Sequence, residues 1–136
     1  MCYYASGGQT AGTVFIRKDN NLPALKALLS SNLLPDRFVI NNTNLNDALC
    51  YLGWSTDMNA EGAVEYIYFE YEKWFTDSEK TLDVIARFVE PGVIIEMTGD
   101  DNAHWAYAFK NGTMQEFSGV LTYPGLDEFL KGNRND

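Results

Sequence analysis

The chain has 136 residues, 46% of them hydrophobic, enough to build one packed core and too few to expect two. Its formal net charge is -9, with 10 Lys and Arg against 19 Asp and Glu, so its field repels a phosphate backbone and disfavours direct nucleic-acid binding. No apolar run is long enough to span a bilayer and no basic start leads into an apolar stretch, so the expectation is a cytoplasmic protein without a membrane partner.

Met1 to Gly12 is rich in Gly, Ser, Thr and Tyr and reads as a loose N-terminal arm, followed by a first strand at Thr13 to Lys18. Cys2 could become an amino-terminal thiol nucleophile, but such sites normally follow the cysteine with glycine, and here Tyr3 and Tyr4 follow. Cys2 and Cys50 have no metal-type spacing and fit a reducing compartment.

A helix is expected from about Leu22, with Asn21 as cap, Pro23 in the first turn and Leu22, Leu25, Leu28 and Leu29 on one face, ending near Ser30. Phe38-Val39-Ile40 reads either as a short strand or as a buried connector. Thr43 or Asn44 then caps a second helix with Leu45, Ala48, Leu49 and Leu52 on its apolar face and Gly53 as a left-handed stop. Trp54 is expected to pack back on that helix end, and Ser55 to Ala63 reads as a polar loop.

The central stretch begins with VEYIYFEYEKWF. Alternation puts Ile67, Phe69 and Tyr71 on one side of a strand and Tyr66, Tyr68, Glu70 and Glu72 on the other, a half-wet surface of tyrosines and carboxylates. Thr76 and Glu79 have the spacing of a capping box, and Leu82, Ile85, Ala86 and Val89 recur on one helical face before Pro91-Gly92 ends it. Two strands, one with Val93, Ile95 and Met97 on a face and one with Trp105, Tyr107 and Phe109, flank the turn Gly99-Asp100-Asp101-Asn102. Asn111-Gly112 predicts a second tight turn and a further strand from Thr113 to Leu121. Pro124 to Leu130 reads as a short closing helix anchored by Leu126, Phe129 and Leu130, with a frayed tail at 132–136. The sum is a single α+β domain over 1–136, with an antiparallel sheet of about four to five strands and helices on one face.

Few residues suggest chemistry. His104, the one histidine, lies near Glu96, Asp100 and Asp101, which allows a small hydrolase or ligand-binding site; more often a lone histidine beside an acidic turn is surface. No phosphate-cradling glycine loop or Ser-His-Asp arrangement is present, and no cofactor or metal is expected. The exposed remainder of the aromatic cluster, beside carboxylates, suits a protein interface with a basic partner. Self-association through a sheet edge is a third reading.

The run from Gly92, Ile94, Glu96, Met97, Gly99, Asp100 and Asp101 to Trp105, Tyr107, Phe109 and Gly112 resembles a group of small bacterial and phage-encoded proteins of uncharacterised activity. It departs from them at Ala106 and Tyr107, where arginine or a second tryptophan is common. The resemblance covers about the second half of the chain and implies a ferredoxin-like sheet and a mobile-element setting. With that setting comes a non-enzymatic, acidic inhibitor of the anti-CRISPR type. The residue pattern itself, rather than the resemblance, supplies the expected partner-binding set of Tyr66, Tyr68, Glu70, Glu72, Glu96, Asp100 and Asp101, facing a basic, nucleic-acid-handling protein.

Overall fold

The stretch expected to be a loose arm is instead an interior strand: Tyr4–Ala11 (β1) pairs antiparallel with Val64–Lys73 (β3) on one side and Ile94–Gly99 (β4) on the other. The computed structural model describes residues 3–120 and 122–131, so Cys2, Leu121 and the tail at 132–136 lie outside the described residues. The small residues that read as loop are what this crowded position requires. A Cβ on Gly7 would run into the Glu96 carbonyl and the Met97 side chain, and one on Gly8 would come within 2.6 Å of the Tyr66 hydroxyl.

Ser55–Met58 (β2) adds to the outer side of β3, while His104–Lys110 (β5) and Thr113–Gly119 (β6) follow β4 as hairpins. The order is β2-β3-β1-β4-β5-β6, antiparallel throughout. The sheet thus has six strands rather than four or five, because both β1 and β2 were expected to be loop. The segment at Thr13 to Lys18 is not a strand; it is a connector whose Ile16 bridges Val64 and Val89.

Lys18–Leu29 (α1) starts earlier than the cap at Asn21 implied, and Pro23 lies inside it. Asn21 donates its side-chain amide to the Gly62 carbonyl at 2.8 Å instead of capping. Leu45–Tyr51 (α2) has the expected ends: Asn44 Oδ1 accepts from the Asp47 amide at 2.8 Å, and Gly53 turns the chain with φ of 98°. Thr76–Ile85 (α3), extended by a 3-10 turn at Ala86–Phe88, begins at the expected residue without the capping box. Glu79 reaches Tyr107 and Glu116 of the sheet rather than its own helix end.

These helices lie on one side of the sheet, over Ile67, Phe69, Ile95, Met97, Tyr107 and Phe109, all buried. Trp54 is the largest fully buried side chain; it edges onto Phe69 and Trp74, and its indole N–H donates to the Ser78 carbonyl at 2.8 Å. The triplet Phe38-Val39-Ile40 is neither strand nor buried connector, since Val39 and Ile40 are exposed and Phe38 packs on Tyr51 under Arg37. Leu126–Lys131 (α4) buries none of its residues, so Leu126, Phe129 and Leu130 do not act as anchors. No helix among the described residues is long and apolar enough to cross a membrane.

Candidate binding face

Among the described residues, the opposite side of the sheet carries no helix-packed core. Register defines it row by row. Ser55, Tyr68, Gly8, Glu96, Ala106 and Phe117 are successive partners across all six strands, so their side chains share one face. On one side of this row run Ser6, Thr98, His104 and Gly119; on the other, Asp57 pairs with Tyr66, and Ile94, Ala108 and Gln115 follow one another. The face therefore has tyrosines on β3, glycines and alanines through its middle, one carboxylate near its centre and Phe117 on its far edge.

The aromatic end is richer than alternation alone implies. Tyr66 and Tyr68 stack at 5.5 Å between ring centroids, and Tyr4 stacks on Tyr71 at 5.3 Å. Tyr71 was expected on the core side, but the β1–β3 register shifts between Ala5 and Gly7 and Tyr71 takes a φ of 20°. This bulge re-aims the strand: Tyr71 joins Tyr4, and Glu72 turns toward the helix side. There Glu72 lines a cleft of about 460 Å³ with Cys50, Tyr51, Lys73, Phe75 and Asp77. Of the expected partner-binding set, Tyr66, Tyr68 and Glu96 lie together on the open face, with Glu70 exposed at the bulge, and Glu72 does not belong with them.

Asp100 and Asp101 are part of the β4–β5 turn and are occupied by it. Asp101 Oδ1 accepts from the Tyr3 hydroxyl at 2.7 Å and the Ala103 amide at 3.0 Å, and Asp100 Oδ2 accepts from the Tyr4 amide at 3.3 Å. The Tyr3 hydroxyl and the Ala103 amide hold Asp101 below its usual carboxylate range, while partial burial and the Asp101 carboxylate push the Tyr3 phenol up to about 12. These bonds tie the turn to the start of β1. His104 Nδ1 pairs with Thr98 Oγ1 at 3.3 Å, and no hydrogen bond joins it to either aspartate. Among the described residues no group of three or more His, Cys, Asp and Glu is arranged to hold a metal ion.

The covered side holds a different acidic pair. Burial and the neighbouring Glu116 raise the pKa of Glu79, and burial together with the charge of Glu79 raises that of Tyr107, whose hydroxyl also accepts from the Trp105 indole at 2.9 Å.

Two depressions mark the β5–β6 end of the open face. One, of about 200 Å³, has Glu96, Thr98, His104, Ala106, Phe117 and Gly119 around it. The second, of about 280 Å³, lies across Phe117 and includes Ala108, Lys110 and Gln115. Sequence reasoning missed Phe117, Tyr4 and Tyr71. Phe117 could have been found from the Asn111-Gly112 turn, which fixes the β5–β6 register and hence its place opposite Ala106. The sequence matches no protein-family model, and comparison with curated proteins and with solved structures gives no match.

Proposed function

We propose that this chain is a non-enzymatic protein-binding domain that works in the cytoplasm and uses its open sheet face to engage a basic protein surface. One observation carries the reading: the carboxylates of that face have no ion-pair partner among the described residues, and its tyrosines stack on one another while staying at least partly exposed. Among the described residues the one ion pair within 4 Å is Lys131 with Glu128, both in α4 and remote in sequence from the face. Asp57, Glu70 and Glu96 are thus available to Lys or Arg of a partner, with Tyr66, Tyr68 and Tyr71 as large, rigid contact area beside them. The sequence resemblance to phage-encoded proteins, with the ferredoxin-like sheet it implies, supports a mobile-element origin. It also favours a partner that handles nucleic acid, blocked in the anti-CRISPR manner by an acidic surface occupying a basic groove.

A labelled nona-arginine peptide provides the test, titrated by fluorescence anisotropy at low and high salt. Binding weakens steeply with salt and is lost in Glu70→Lys/Glu96→Lys, whereas Asp19→Lys/Asp83→Lys, the same charge change on the helix side, leaves most of it. Equal loss in both double variants, or binding indifferent to salt, overturns the reading.

A further inference from the structure

We infer that the depression over Ala106 is a receptor for a single arginine side chain of the partner, held between the carboxylate of Glu96 and the ring of Phe117. The inference rests on the reading of the open face as a binding surface and names the group that anchors it.

The row register sets the dimensions. Glu96, Ala106 and Phe117 are consecutive partners on β4, β5 and β6, and neighbouring strands lie about 4.8 Å apart, so the carboxylate and the ring bases are separated by roughly 10 Å with only a methyl group between them. Gly119, opposite His104 in the adjoining row, removes a further side chain from the floor. The resulting depression of about 200 Å³ is large enough for one long side chain and too small for a folded element. Its chemistry is that of a cation site. Glu96 is exposed, and among the described residues no lysine or arginine lies within salt-bridge distance of it. Phe117 is 49% exposed, leaving ring surface for a cation within about 6 Å of its centre. Thr98, whose hydroxyl meets His104 Nδ1, adds oxygen lone pairs on the same wall.

A guanidinium suits this arrangement better than an ammonium. Its planar fork can give two N–H groups to one carboxylate while its flat face lies on a ring, and it sheds water more readily. Lys110, in the depression beyond Phe117, makes that neighbouring position repel a second cation. The site thus takes one arginine, followed along the groove by a neutral or acidic residue.

N-acetyl-arginine amide is the probe, titrated against 15N-labelled protein, with N-acetyl-lysine amide and the neutral isostere N-acetyl-citrulline amide as controls. The arginine amide shifts the amide signals of Glu96, Ala106, Phe117 and Gly119 with a dissociation constant on the order of 1 to 10 mM, the lysine amide binds several-fold more weakly, and the citrulline amide shifts none of them. Glu96→Gln and Phe117→Ala each weaken the arginine amide about tenfold, and since both residues are exposed the variants keep the wild-type spectrum elsewhere. Shifts scattered over the acidic surface, an equal response to citrulline, or unchanged affinity in both variants overturns the site. If nona-arginine still binds and still depends on Glu70 and the tyrosines while the two variants change nothing, the arginine receptor is wrong and the binding face stands. If neither probe binds, both fall together.

Discussion

The two faces of one sheet are built from alternate residues of the same strands, yet they serve different ends. On the covered face β3 presents Ile67 and Phe69, β4 Ile95 and Met97, and β5 Tyr107 and Phe109, each at most 1% exposed. One residue along each strand, the open face presents Tyr66 and Tyr68, Glu96, and Ala106 and Ala108. Folding energy is concentrated on the first side, since buried apolar area stabilises by roughly 25 cal/mol per Å². The second side leaves tyrosine and carboxylate exposed in a pattern that packing does not require. A face that is aromatic without being buried is what a binding surface needs and a core does not.

Truncation on each side breaks that comparison most directly. Trp54→Ala removes a fully buried indole and its hydrogen bond to the Ser78 carbonyl, and should cost about 3 to 5 kcal/mol in urea unfolding. Tyr68→Ala, on the half-buried side, should cost about 1 kcal/mol or less while weakening nona-arginine binding. A reversed order would mean that the open face is the core of the fold. Adjacent glycines give a smaller contrast. Gly7→Ala drives a methyl into the backbone carbonyl of Glu96 and should lose about 1 to 3 kcal/mol, whereas the methyl of Gly8→Ala meets the end of the movable Tyr66 side chain and should lose less than half as much.

One polar group sits badly on the covered side. Gln9 is 7% exposed; its amide nitrogen donates to the Gly12 carbonyl at 3.2 Å, but its Oε1 finds no donor. Gln9→Met keeps the shape without the orphaned oxygen, and should stabilise by about 1 kcal/mol in the same unfolding assay. A loss of stability instead would show that the bond to Gly12, which closes the end of β1, outweighs the unpaired acceptor.

The covered face was largely legible in the sequence because its periods are strong. The helical spacing of Leu82, Ile85 and Ala86 and the strand alternation of Ile95, Met97, Tyr107 and Phe109 both identify buried residues. The open face was legible only where it carries large side chains. Its middle is glycine, serine and alanine, which in β1 look like a flexible arm because nothing local tells a strand kept small by its neighbours from a loop. The bulge at Tyr71 depends on how β3 meets β1, a non-local pairing, so alternation assigned Tyr71 and Glu72 to the wrong sides. The depression at Phe117 depends on three strands being in register, and its carboxylate was visible as a residue but not as a site.

The smallest effect concerns charge at the rim of the covered face, where Glu79 of α3 meets Glu116 of β6 near the Tyr107 hydroxyl. Burial and the second carboxylate raise Glu79 above its ordinary value of 4.5, so the folded state holds this proton more tightly than the unfolded chain does. Stability contributed by the proton on Glu79 is present below 4.5 and is lost as pH rises through the raised value. Ionised Glu79 is therefore a cost at neutral pH, modest because the group is half-buried and water screens it. Glu79→Gln should be slightly more stable than wild type at pH 7, and its stability should change less between pH 4.5 and 7. Asp101 acts with the opposite sign and in a different window. Held below its usual 3.8 by the Tyr3 hydroxyl, it withdraws its contribution only as pH falls beneath that value, so Tyr3→Phe alters the acid limb and leaves the Glu79 window untouched. Urea midpoints measured at half-unit steps from pH 2.5 to 7 separate the two. If Glu79→Gln follows wild type throughout, the proton on Glu79 adds nothing to the contact between α3 and β6, and the covered face closes over Tyr107 by packing alone.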